Sequence, residues 1–190
     1  MPEVFFLFFS LFVIVPIFYF LQIPVIYMEI LLVVVSVMML VPLVKTLFNA
    51  PFVPSKKKRI DKMMQLANLD TKKTVTEIGC GDGRIIRQVA AKGVKKAVGF
   101  DISIVLVLYG KLVALLKKNS AKIRFGDIWQ QNYQKTDVIF SYLLPIAMKK
   151  VKNIIWPQLP KNARLVSNAF PLPGIKEDKK EDGVYLYIKK

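Results

Sequence analysis

In the run Thr76-Glu77-Ile78-Gly79-Cys80-Gly81-Asp82-Gly83-Arg84-Ile85, two carboxylates stand among three alternate glycines. Glycine admits positive φ and lets a ligand approach bare backbone, so such a run can hold a small molecule against main-chain groups. The spacing is G-x-G-x-G followed by Arg84, so the dinucleotide form G-x-G-x-x-G is not met. Glu77 and Asp82 also oppose a pyrophosphate and suit a ligand with a cationic part. The chain has no histidine, and Cys80 is its only cysteine. This removes Ser-His-Asp and Cys-His catalysis, histidine-based metal sites and intrachain disulfides. No metal is expected, and Cys80 reads as a small residue within the turn rather than a nucleophile.

Such a turn works only where a strand becomes a helix. Thr74-Val75-Thr76-Glu77-Ile78 is β-branched and alternating, and Ile85, Ile86, Val89 and Ala90 then recur at helical spacing. Lys96 to Asp101 is a second short strand ending in a carboxylate, about 18 residues after Gly83, where an acidic side chain can take two ribose hydroxyls. Asp101 is the expected ribose ligand, with Ile102 beside it; the competing role is a cap on the helix predicted over 104–118. Lys122 to Trp129 is a third strand and its exit. There Asp127 is placed to accept from an adenine amino group while Ile128 and Trp129 cover the ring, although Gly126-Asp127 taken alone is an ordinary turn. Thr136 to Pro145 is an apolar run of buried parallel-strand type closed by proline. Ligands of open α/β sheets bind beyond the carboxyl ends of the strands. Four successive strand ends here suit successive parts of one ligand, S-adenosylmethionine (SAM), with the fourth facing its reactive methyl group.

From about Phe52 onward the chain resembles the class I, seven-stranded SAM-dependent methyltransferases, with Glu77 to Gly83 as the glycine motif. Four segments are similar to a narrower group, the membrane-anchored lysine methyltransferases: Pro51-Phe52-Val53-Pro54-Ser55, Gly81-Asp82-Gly83-Arg84-Ile85, Tyr142-Leu143-Leu144-Pro145 and Val166-Ser167-Asn168-Ala169-Phe170. Eukaryotic members of that group modify the c-ring protein of mitochondrial ATP synthase and the adenine nucleotide translocase. The resemblance implies a Rossmann-like α/β sheet with SAM held by Glu77, Gly79, Gly81, Asp82, Gly83, Asp101, Ile102, Asp127, Ile128 and Trp129. It also implies a reaction end formed by Ser141, Tyr142, Leu144 and Pro145, for which a plain strand end and helix start is the alternative. In the family an acidic residue often follows the serine of the fifth strand, whereas here Asn168 follows Ser167. Pro51 to Ser55 would fold over the cofactor as a lid, or serve as a stiff linker.

Composition divides the chain. Residues 1–44 hold no Lys or Arg and only Glu3 and Glu29, so all 29 basic residues lie beyond them. A helix over 4–44 would measure about 62 Å, twice the roughly 30 Å hydrocarbon core, so two membrane spans are expected, at about 4–22 and 30–48. Residues 22–29 would join them, with Glu29 at a helix start. Lys45 and Lys56-Lys57-Lys58-Arg59 follow the second span, which places the catalytic domain on the cytoplasmic side, or the matrix side in a mitochondrion. A secretory signal peptide lacks support: there is no basic n-region and the apolar stretch is too long. The net charge of +16 would suggest nucleic acid in a soluble protein. Beside a bilayer the polybasic run more simply binds anionic headgroups, at about 1 kcal/mol per Lys or Arg, and nucleic acid is not the expected partner.

The expected organisation is a helical hairpin over 1–48, a basic juxtamembrane and lid segment with a helix over 49–72, and the methyltransferase domain over 73–190. A fifth strand over 162–170 and a final β-hairpin without a preceding helix complete it, with 176–182 as an exposed turn. The expected activity is methylation of a lysine in a membrane-associated protein. A membrane-anchored SAM-binding scaffold and an RNA or small-molecule methyltransferase are the alternatives.

Overall fold

The structure, a computed structural model, describes residues 25–48, 55 and 57–190, which fall into two compact units, 1–48 and 49–190. In the first unit the described element is helix α1, Val25–Phe48. It exposes Ile26, Tyr27, Ile30, Leu32, Val33, Val34, Val37 and Met38. Among the described residues no helix is long and apolar enough to cross a membrane; the side-chain environments of α1 are described no further than residue 38. The span expected over 4–22 lies outside the described residues. The one expected over 30–48 falls on α1, which starts at Val25, so Glu29 sits one turn inside the helix rather than at its start.

The second unit is built on a seven-stranded sheet in the order β3-β2-β1-β4-β5-β7-β6. The strands are β1 (Thr74–Ile78), β2 (Lys96–Asp101), β3 (Lys122–Phe125), β4 (Val138–Ser141), β5 (Arg164–Asn168), β6 (Lys179–Glu181) and β7 (Val184–Ile188). β1 to β5 are mutually parallel, while β7 lies antiparallel between β5 and β6. The helices are α2 (Lys57–Ala67), α3 (Arg84–Ala91), α4 (Ile104–Leu116) and α5 (Pro145–Lys150). Chain direction across the sheet reverses at β1: β2 and β3 extend to one side, β4 and β5 to the other. That reversal opens a crevice at the carboxyl ends of β1 and β4.

Alternation along the strands divides the core into two layers, because successive side chains of a strand point to opposite faces. Val75, Val138, Phe140, Val166, Val184 and Leu186 join Ile60, Met63 and Leu66 of α2 and Ile85, Ile86 and Val89 of α3 on one face. Ile78, Ile139, Leu165 and Tyr187 join Ala147 and Met148 of α5 and Val151 and Ile155 beyond it on the other. Pro145 stands at the first turn of α5, where its missing N–H costs nothing.

As expected, no helix separates β5 from the final hairpin. The stretch 176–182 is more than a turn, however: Lys179–Glu181 forms β6, and the turn itself is Asp182-Gly183, with φ of 50° and 72°. Positive φ at two central residues is the mirror-image turn that matches strand twist, and Asp-Gly is its favoured pair. Glu181 then meets both Lys62 of α2 and Lys179, each at 2.6 Å, which ties the hairpin to α2.

Candidate functional site

The carboxyl ends of the parallel strands lie level. Arg124, Phe100, Ile78, Ser141 and Ser167 form one row across β3, β2, β1, β4 and β5. Gly79, Asp101, Phe125, Tyr142 and Asn168 therefore leave the sheet at one height. The glycine turn is stitched to β2: the N–H groups of Gly79 and Cys80 donate to the Phe100 carbonyl at 2.9 and 3.0 Å. The Gly81 N–H donates to Asp101 Oδ2 at 2.7 Å.

All three motif glycines adopt positive φ, 69° at Gly79, 53° at Gly81 and 71° at Gly83. Two also lack room for a methyl group. A Cβ at Gly79 would stand 2.8 Å from Leu143 Cδ2, and one at Gly83 would stand 2.4 Å from Ile123 Cδ1. The positive φ is what favours glycine at these positions, and Leu143, from the strand exit facing the turn, packs against Gly79.

The four carboxylates occupy different situations. Glu77 is buried, and its Oε2 accepts the Ile86 N–H of α3 at 2.9 Å. Burial pushes its carboxyl well above the usual range; the neighbouring charges of Asp82 and Asp101 add to this, while the Ile86 N–H and the Arg87 charge oppose it. Asp82 is buried too and grips Arg84, with Oδ2 2.9 Å from a guanidinium nitrogen and Oδ1 accepting both the Arg84 N–H and Nε at 3.1 Å. Each acid of the turn therefore has an intramolecular partner. Asp101 accepts the Ser103 N–H through Oδ1 at 2.8 Å. The cap of α4 is Ser103, so the competing role considered for Asp101 belongs to its neighbour, and Asp101 instead joins the β2 exit to the glycine turn. Ile102, between them, is exposed.

Asp127 caps the short turn Ile128–Gln130 through the Trp129 N–H at 2.9 Å. Ile128 is buried; Trp129 is half-buried, with Lys150 Nζ 5.7 Å from its ring centre. At the fourth exit Ser141 is buried with its hydroxyl 3.2 Å from Met148 Sδ, Leu144 caps α5 and Pro145 follows. Tyr142 is half-buried and stacks on Phe170 with centroids 6.5 Å apart. Asn168, where the family pattern often has an acid, is buried and reaches Ser55 Oγ and Arg59 at 3.4 Å each. Of the lid segment only Ser55 is described, and residues 51–54 lie outside the described residues. Cys80 is buried, and burial pushes its thiol far up, as expected of a packing residue.

Several residues that shape the site were not anticipated. Gly110, inside α4, has the Asp82 carbonyl oxygen where a Cβ would stand only 2.5 Å away, so the helix touches the cofactor turn. Gly99 of β2 plays the same part against Cys80, at 2.7 Å. Arg87 donates to the Asp82 carbonyl. Tyr133, buried, holds the Ile128 carbonyl at 2.7 Å and so fixes the turn after β3. The available signal was a glycine among the largely apolar residues of α4, a position where close packing rewards glycine.

The arrangement fits SAM on its own terms. Gly79 and Gly81 hold positive φ just beyond β1, and the two acids of the turn, Glu77 and Asp82, are joined by Asp101 at the end of the neighbouring strand β2. Comparison with known proteins agrees. The ANTKMT methyltransferase domain matches residues 77–179. A protein-lysine N-methyltransferase of Saccharolobus islandicus (strain REY15A) is 31% identical over 153 residues, 74% of this chain and 94% of that protein. The adenine nucleotide translocase lysine N-methyltransferase of Mus musculus is 27% identical over 66% of this chain, which spans 55% of its length. Among solved structures, an RNA methyltransferase from Salinibacter ruber in complex with S-adenosyl-L-homocysteine has a TM-score of 0.66 and 28% identity, covering 72% of this chain and 92% of that one. The chain belongs to the ANTKMT methyltransferase domain family and is a SAM-dependent methyltransferase.

Proposed function

We propose that the protein methylates a lysine side chain of a membrane or membrane-associated protein. The observation that carries this reading is the 31% identity to a protein-lysine N-methyltransferase across 94% of that protein. When bound, SAM supplies an activated methyl group to a neutral amine. Asp101 would hold the ribose with Ile102 alongside, Asp127 the adenine amino group, and Ile128 and Trp129 the ring. Gly79, Gly81 and Gly83 would meet the methionine portion, with Glu77 and Asp82 fixing the turn.

The chain's part in the reaction is positioning and desolvation, which suffice for an in-line displacement and need no histidine. A lysine amine at pH 7 costs about 4.6 kcal/mol to deprotonate, from a pKa of about 10.4. Leu143, Leu144 and Pro145 would present the amine with an apolar strand exit that disfavours its charged form, and Tyr142 or the Ser141 carbonyl would orient it.

A membrane setting is supported by the absence of Lys and Arg from residues 1–44, by the exposed apolar side chains of α1 and by the basic run Lys56 to Arg59. We read the N-terminal unit as a transmembrane hairpin that leaves the enzyme on the cytoplasmic or matrix side. A second reading, RNA methylation, draws on the Salinibacter ruber likeness and the net charge of +16. Incubating membranes and total RNA with the enzyme and methyl-labelled SAM separates the two. Label resistant to nuclease and mapped by mass spectrometry to a lysine is expected, whereas label lost on nuclease treatment would establish RNA as the substrate.

A further inference from the structure

Helix α4 is apolar on both sides, and the sheet covers only one. Val107, Gly110 and Ala114 face the sheet and are buried. The opposite face shows Ile104, Val105, Leu108, Tyr109, Leu112, Leu115 and Leu116 at 53–74% exposure. Ile102 before the helix and Phe125 at the exit of β3, 40% and 60% exposed, extend it. The exposed area is on the order of 1,000 Å², beyond the roughly 300–600 Å² of the largest patch on an ordinary soluble monomer.

The surroundings indicate what covers it. Between Asp101 and Asp127 there is no carboxylate, while Lys111, Lys117, Lys118, Lys122 and Arg124 are all present and exposed. A largely apolar face whose own segment, 102–126, carries cations and no carboxylate matches an anionic bilayer surface, where the apolar side chains enter the headgroup and acyl boundary and the lysines stay among phosphates. A second copy fits badly, because it would set one cationic edge against another in a chain that already carries +16. A protein partner is less well served as well: within the seven helix side chains only Tyr109 offers a hydrogen-bonding group, whereas protein interfaces use about one hydrogen bond per 100–200 Å².

We propose that the outer face of α4 is a membrane-docking surface that lies in the interface of an anionic bilayer. This is separate from the N-terminal spans. It concerns the face of the enzyme domain itself, and Ile102 at its edge directly follows Asp101, so docking brings the cofactor end of the sheet to the headgroups. It depends neither on the identity of the methyl acceptor nor on the presence of the hairpin.

The test uses the full chain with an environment-sensitive fluorophore on Leu112→Cys, and on Lys161→Cys as a control; native Cys80 is buried. The protein is mixed with vesicles of phosphatidylcholine and phosphatidylserine carrying spin-labelled lipids, and with iodide as the aqueous quencher. Severalfold stronger quenching by shallow acyl spin labels at position 112 than at 161 is expected, lessened when phosphatidylserine is omitted. Adding Leu108→Glu and Leu116→Glu should abolish the difference without unfolding the domain, since both side chains are already exposed. Equal lipid quenching at the two positions would overturn the proposal, whether or not the hairpin anchors the chain. Protection of position 112 from iodide without lipid quenching would also overturn it, and would assign the face to a protein.

Discussion

At Glu77 burial disfavours the charged carboxylate. Its pKa is raised by burial, so its contribution to stability is full below the ordinary carboxylate range and is lost as pH rises through the raised value. Glu77→Gln keeps the acceptor for the Ile86 N–H and removes the titration. Urea unfolding across pH should therefore show a flatter curve for the variant above pH 4.5 than for the native chain. Equal slopes would mean that Glu77 is ionised in the folded protein. Cys80 gives a second expectation: its buried thiol should resist alkylation in the native state and react only as fast as the protein unfolds. The acidic and glycine positions of the turn were legible from residue types and spacing. The partners of those acids were not, because a carboxylate's choice between a ligand, an amide nine residues on and a neighbouring guanidinium depends on geometry that spacing does not fix.

Close approach between elements governs the next scale. Gly83 combines φ of 71° with a would-be Cβ 2.4 Å from Ile123, so Gly83→Ala should lose about 1–2 kcal/mol from the left-handed backbone and about 1–3 from overpacking. Chemical denaturation reads this directly. Gly110→Ala is more informative, because the atom it meets is the backbone oxygen of Asp82, which cannot rotate away. Helix α4 must retreat, so SAM affinity should fall although no proposed cofactor contact is altered; an unchanged Kd would show that the turn tolerates the displacement. The elements most easily read were β1, β2 and α3, whose alternation and 3.6-residue periodicity are strong. β6 escaped notice because Lys179-Lys180-Glu181 carries no apolar pattern and becomes a strand only by pairing with β7. The outer face of α4 escaped for the opposite reason, since an apolar run identifies the helix and conceals which side is covered.

The chain falls into two units, and every proposed cofactor contact lies in the second; on the proposed function the first is a membrane tether. A tether raises the effective concentration of membrane targets without new contacts. Removing residues 1–48 should thus slow methylation of a native membrane substrate by tenfold or more, on the order expected for lost tethering, and leave a short soluble lysine peptide nearly unaffected. Equal slowing of both would mean that the unit supports folding instead. The division itself was plain in the sequence, from the placement of every Lys and Arg beyond residue 44. The most direct test of the central claim is calorimetric titration of SAM into the full chain and into Asp101→Ala. One SAM per native chain is predicted, with affinity at least about tenfold weaker in the variant, because the carboxylate's charge-assisted hydrogen bonds contribute about 1.5–3 kcal/mol each. A native chain that is folded yet takes up no SAM, or a variant that binds it equally well, would contradict the account.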